Sequence, residues 1–174
     1  MLITEENSRN NAIRAAAEQM LLAARTAPKG RGRDTLVLVA AYDETIIAIA
    51  DKMEEMGKTL DIPFFLRDAK NIRQSQAVLL LGTTISPLGL SHCGLCGMET
   101  CENKKSDVPC AINSVDLGIA LGSAVSMAAQ LCVDTRIMFS AGKAAMALGL
   151  LGSDVKIIFA VPLSCSAKSP FFDR

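Results

Sequence analysis

The run Ser91-His92-Cys93-Gly94-Leu95-Cys96-Gly97-Met98-Glu99-Thr100-Cys101, followed by Cys110, constrains this chain more than any other stretch. It carries four of the 6 cysteines at the spacing C-x2-C-x4-C-x8-C. Two thiolates separated by two residues can turn around a single centre, because a tight loop brings both sulfurs to one side. Gly94 and Gly97 suit that turn: glycine tolerates positive φ and lets backbone N–H groups approach the sulfurs. Such N–H groups offset the negative charge of a thiolate-ligated cluster and raise its potential. The segment reads as a metal site, with a [4Fe–4S] cluster on Cys93, Cys96, Cys101 and Cys110 as the leading reading. Zinc is the alternative, since it also accepts four thiolates, although most zinc ribbons repeat the C-x2-C pair. A disulfide framework lacks any sign of export. Free buried cysteines would not gather on a polar, glycine-containing loop.

The string Cys93-Gly94-Leu95-Cys96-Gly97-Met98-Glu99-Thr100-Cys101 resembles the C-G-x-C-G-x-x-T-C motif of a [4Fe–4S] domain. That domain occurs in corrinoid iron–sulfur proteins and in the iron–sulfur subunit of some bacterial ion-pumping electron-transport complexes. By position, the resemblance implies Cys93, Cys96 and Cys101 as three ligands. The fourth usually follows at a longer interval in those families. Cys110 is the choice here, with Cys132 or Cys165 able to replace it if the fold brings them near. Over its whole length the chain also resembles a family of uncharacterised bacterial and archaeal proteins described as containing a ferredoxin domain.

The 174 residues suffice for one well-buried domain, with residues 83–112 as a Cys-rich metal-binding loop within it. Hydrophobic residues make up 50% of the chain, which implies a packed interior or an oligomer burying extra surface. Eighteen basic residues balance 18 acidic ones, so no net field favours nucleic acid or an anionic membrane. A single tyrosine and no tryptophan weaken any case for base stacking. The N-terminus lacks a basic region followed by an apolar run, so no signal peptide is read there. The uncharged run Leu117 to Val133 is slightly short for a membrane span and contains Gly118, Gly122, Ser123, Ser126 and Gln130. It reads as a buried helix, and the expected compartment is the cytoplasm.

In chain order, helical spacing predicts a first helix from about Glu5 to Arg25, stopping before Pro28. The loop from Arg25 to Arg33 holds Arg25, Lys29, Arg31 and Arg33 around Gly30, a set suited to an anionic group such as a phosphate. A solvated turn explains it equally well. Thr35 to Ala40 reads as a strand covered on both faces. Asp43 is expected to cap a helix reaching Met56, with Gly57 as its stop. Ile62 to Leu66 reads as a short strand or extended connection, Asp68 to Gln74 as a short helix, and Gln76 to Gly82 as a buried strand. Asn113 or Ser114 is expected to cap a helix from Val115 to Leu131, whose Gly118, Gly122 and Ser126 share one face as a packing or dimer seam. A strand over Thr135–Phe139, a helix over Ala141–Leu151 capped by Ser140, and a strand over Val155–Val161 closed by Pro162 follow. The tail from Ser164 to Arg174 reads as extended, with Phe171 and Phe172 available to a neighbour.

Helices alternating with apolar strands imply an α/β or α+β sandwich around one mainly buried sheet flanked by helices. Three stretches resemble the nitroreductase family of flavoproteins: Ala23-Ala24-Arg25-Thr26-Ala27-Pro28, Asp116-Leu117-Gly118-Ile119-Ala120, and Ile157-Ile158-Phe159-Ala160-Val161-Pro162. They match the end of that family's first long helix, its central helix, which forms much of the dimer interface, and its final strand. The resemblance implies a nitroreductase-like fold, a homodimer, and FMN contacted by Arg25, Lys29, Gly30, Arg31 and Arg33. The chain departs from the pattern in two places. It has Asn7-Ser8-Arg9-Asn10 where the family carries an arginine-rich segment for the flavin phosphate, and Lys29-Gly30-Arg31 after Ala-Pro. Three functions follow from these readings: an electron-transfer protein with an unidentified redox partner, a zinc-stapled binding module, or an FMN-dependent reductase. No catalytic acid–base pair stands out. His92, the only histidine, reads as lying beside the metal or facing solvent.

Overall fold

The structure is a computed structural model and describes residues 1–172. Its elements run α1 (Glu5–Thr26), β1 (Leu36–Ala41), α2 (Asp43–Thr59), α3 (Pro63–Ile72), β2 (Ala77–Thr84), α4 (Ala111–Gln130), β3 (Asp134–Thr135), α5 (Phe139–Ala147) and β4 (Val155–Ser164). The four strands form one sheet in the order β1-β2-β4-β3, and every neighbouring pair is antiparallel.

The apolar strands show no polar alternation because both faces of the sheet are covered. Val78, Leu80, Ile158 and Ala160 point to a layer made by α2, α3 and α5, where Ile49, Met53, Phe65 and Ile72 are buried. Ala77, Leu79, Leu81, Val161 and Leu163 point the other way, into a layer made by α1 and α4. Period-two geometry therefore sends alternate residues into two separate cores, each apolar. This is the α+β sandwich implied by the sequence.

α1 begins at Thr4, whose hydroxyl accepts from the Asn7 N–H (3.4 Å), and ends where Ala27 turns extended ahead of Pro28. Its buried stripe of Ile13, Ala16, Ala17, Met20 and Ala24 packs on α4 through Leu117, Ala120, Leu121, Ala124 and Ala128. Among the described residues α4 is the one helix long and apolar enough to cross a membrane by length and composition.

Several expected elements are corrected. Ile62–Leu66 is not a strand: Pro63 opens α3, and Phe65, Ala69 and Ile72 bury one face at helical spacing. Gly57 does not stop α2 but lies buried within it, where an added Cβ would meet Leu66 Cδ2 at 2.9 Å and Phe65 Cβ at 3.0 Å. The two helices approach closely at that point, so the glycine serves packing. Asp43 is the first residue of α2 at φ 48°, with Tyr42 in the cap position. α4 starts at Ala111, before Val115, and Cys110 takes its cap position. Neither Asn113 nor Ser114 caps it.

The third strand is only Asp134–Thr135, with Met138 bridging to Ala160, and α5 begins at Phe139 with Ser140 inside it. Ser140 is buried and its hydroxyl donates to Asp68 Oδ2 (2.6 Å). Pro162 does not end β4, which continues to Ser164. Ala160 exchanges hydrogen bonds with Met138, so residue 162, two positions on, turns its backbone nitrogen to the same side. That side faces the gap between Thr135 and Met138, and the missing proline N–H costs no ladder bond. In the tail, Phe171 is buried in the chain's own core and is not offered to a neighbour, whereas Phe172 is exposed. Asp173 and Arg174 lie outside the described residues.

Candidate metal centre

Residues 85–110 carry no helix or strand and run from the end of β2 to the start of α4. Their turns are made by left-handed residues: His92 at φ 63°, Gly94 at φ 60° and Gly97 at φ 81°. The Gly97 N–H donates to the Gly94 carbonyl (2.9 Å), closing the turn that carries Cys96. Adding a Cβ at Gly97 would meet no atom within 4 Å, so its left-handed backbone and not lack of space explains the glycine.

This loop brings the predicted thiols to one place. Cys93, Cys96, Cys101 and Cys110 all line a single small cavity, together with Met98, Thr100, Lys104, Ala111 and Ile112. Cys110 is buried and the other three are partly exposed. All six cysteines are free. The thiols share a rim but are not drawn tight: among the described residues, no three His, Cys, Asp or Glu side chains gather closely enough to hold one metal ion. Cys132 is exposed beyond the end of α4, and Cys165 lines a different cleft, so neither joins the rim. His92 is exposed.

The donor chemistry fits a thiolate-bound iron–sulfur cluster. Four thiols line the cavity wall and, among the described residues, no carboxylate joins them there. The wall is completed by the first turn of α4, whose amino-terminal N–H groups have no side-chain cap. A helix N-terminus carries partial positive charge and favours the negative charge of a four-thiolate site.

The basic loop is mostly spent on its own structure. Arg25 Nη1 donates to Asp34 Oδ2 (2.5 Å) and to the Leu36 carbonyl (3.2 Å). Burial raises the Asp34 pKa, but the Arg25 guanidinium and the Leu36 N–H outweigh it and hold the carboxyl below its usual range. Lys29 donates to the carbonyls of Arg25 (2.5 Å) and Ala27 (2.8 Å), satisfying the end of α1. The Gly30 N–H donates to Asp116 Oδ1 (3.0 Å). Arg31 Nη1 and Arg33 Nη1 each donate at 3.3 Å to the carbonyls of Leu88 and Pro87 respectively, reaching the loop that precedes the cysteines. The structure thus joins the two candidate sites at their edges: Arg25, Arg31 and Arg33 are exposed, with Arg25 paired to Asp34, while Lys29 is turned inward.

Asn113, expected above as a cap, and Asp116 each tie α4 to a loop. Asn113 Oδ1 accepts from the Ser86 N–H (2.9 Å), and Asp116 accepts from Gly30, so the first turns of α4 hold both loops. Both side chains are buried, and Asn113 Nδ2 and Asp116 Oδ2 have no hydrogen-bond partner among the described residues. Their spacing of three along one helix was the available signal. A second feature is a largely apolar cleft lined by Ser8, Arg9, Ile13, Leu131, Val133 and Cys165. Ser8 and Arg9 are the residues noted above at the place of the arginine-rich segment, and Glu5 already pairs with Arg9 (2.5 Å).

Comparison with known proteins supports the whole-chain readings. Among solved structures, the chain superposes on one described as a nitroreductase in complex with FMN from Desulfovibrio desulfuricans (TM-score 0.61, 14% identity), covering 92% of this chain and 78% of that one. It also superposes on an FMN-dependent nitroreductase from Clostridium difficile (TM-score 0.58, 14% identity), covering 88% and 76%. At such identities the likeness is one of fold, and the chain has the nitroreductase fold. Residues 106–174 match the family described as uncharacterised proteins containing a ferredoxin domain, a span that begins after Cys101 and includes Cys110, α4, α5 and β4. A protein of Archaeoglobus fulgidus, itself of uncharacterised function, is 45% identical over 183 residues, covering 100% of this chain and 98% of its own length. The chain belongs to the family of uncharacterised proteins that contain a ferredoxin domain.

Proposed function

We propose that this protein is a cytoplasmic iron–sulfur redox protein whose [4Fe–4S] cluster is held by Cys93, Cys96, Cys101 and Cys110. One observation carries the proposal: four thiols spread over a long loop line the same cavity, at the amino end of α4. When bound, the cluster would supply one-electron exchange with a partner protein. The chain's own residues do the rest. Gly94 and Gly97 turn the backbone so that Cys93 and Cys96 share a side, Cys110 is presented from the helix cap, and the uncapped N–H groups of α4 favour negative charge.

Anaerobic reconstitution tests this. The protein is expected to take up about four irons per chain and to show a broad visible absorption that bleaches on dithionite. Replacing any of the four cysteines with serine should lower the iron bound, whereas Cys132→Ser and Cys165→Ser should not. A colourless protein holding one zinc after the same treatment would establish the stapled binding module instead.

A second reading, a flavin-dependent reductase, is favoured by the nitroreductase fold together with the apolar cleft beside Ser8 and Arg9. Added FMN should then bind and lose affinity in Arg31→Ala/Arg33→Ala if the basic loop holds the phosphate, or in Arg9→Ala if the cleft does. No FMN uptake removes the reading.

A homodimer through α4 belongs to the same proposal. Val115 and Ile119 are exposed on that helix, and open space lies beside Gly118 and Gly122.

A further inference from the structure

We infer that Lys104 is the positioning residue of the metal centre: it folds the segment that carries the fourth thiol and sets the potential of the cluster held there. The inference rests on the cluster reading above. Among the described residues Lys104 is the one charged residue on the wall of the four-cysteine cavity. Its ammonium donates to the carbonyls of Lys105 (2.9 Å) and Val108, and its N–H to the Cys101 carbonyl (3.4 Å). These bonds gather the excursion between Cys101 and Cys110 into a closed turn, so that Cys110 at the head of α4 faces the other three thiols. Lys105, next in sequence, carries the same charge but is exposed and does not line the cavity.

Every electron accepted at a four-thiolate site adds one negative charge to a site already negative. A fixed cation on the rim stabilises the reduced state more than the oxidised one and raises the potential. The tether and the charge are separable by substitution. Glutamine at 104 keeps a donor for the carbonyls and loses the charge, arginine keeps both, and alanine loses both.

The test uses full-length protein reconstituted anaerobically with iron and sulfide, titrated potentiometrically with dithionite and challenged with an iron chelator. Lys104→Gln should shift the one-electron reduction equilibrium about tenfold toward the oxidised form, which is about 59 mV more negative. Lys104→Arg and Lys105→Gln should stay within about twofold of the parent, and Lys104→Ala should release iron several-fold faster than Lys104→Gln. A parental potential in Lys104→Gln, or an equal shift in Lys105→Gln, overturns the inference while leaving the cluster reading intact. If the parent protein itself takes up no iron, the cluster reading falls and this inference with it.

Discussion

Asp34 sits where α1 hands the chain to β1, gripped by Arg25 on one side and the Leu36 N–H on the other. Its folded pKa lies below the ordinary carboxylate value, so its contribution to stability is present above about pH 4 and is lost as pH falls through the folded value. Asp34→Asn should therefore cost at most about 1 kcal/mol at pH 7, because the pair is exposed and screened, and the deficit should shrink toward zero at a second, acidic pH below the folded value. Urea melts at the two pH values read the difference. The buried pair Ser140–Asp68 is a different case. Ser140→Ala leaves Asp68 Oδ2 without its 2.6 Å donor inside the α3–α5 layer, and a loss of about 1–3 kcal/mol is expected as a lower urea midpoint at unchanged slope.

Two glycines on helices show how an element's surroundings decide the value of a residue. An alanine Cβ at Gly142 in α5 would lie 2.0 Å from the Ile158 carbonyl oxygen, so α5 can rest on β4 only with glycine there. Gly142→Ala should destabilise by at least about 2–3 kcal/mol, or leave no cooperative melt. At Gly122 in α4 nothing lies within 4 Å of the added atom. Gly122→Ala should raise helix stability by up to about 1 kcal/mol within one chain. If α4 is the seam between two copies, the same substitution should weaken the dimer, and sedimentation velocity beside a thermal melt separates the two effects.

At the scale of the whole molecule, the antiparallel sheet places the two loops of interest together. β2 ends beside β1, with Leu36 opposite Thr83, so the chain entering β1 and the chain leaving β2 emerge side by side. That is why Arg31 and Arg33 reach the Pro87 and Leu88 carbonyls, and why Asp116 and Asn113 can hold both loops from α4. A change at the cysteine loop should therefore be felt at the basic loop. Binding iron is expected to slow hydrogen exchange at the Gly30 and Ser86 amides as well as within residues 93–110, which exchange followed by mass spectrometry would detect.

Much was legible in the chain itself. The cysteine spacing with its glycines marked the cavity, since thiols this close in sequence have little freedom to meet elsewhere. Helical periodicity marked α1, and unbroken apolar runs marked β1, β2 and β4, because those signals are local and strong. The α3 turn was misread because Pro63 and two phenylalanines look extended at short range, and only burial against α2 and α5 reveals the helical period. What tertiary structure alone decided was which polar groups remain available. Lys29 and Gly30 looked like an anion cradle, yet the end of α1 and the Asp116 carboxylate claim their donors. Sequence sets which groups a chain owns, but a buried donor must bond to whatever lies within about 3 Å, and the partner is chosen by elements distant in sequence.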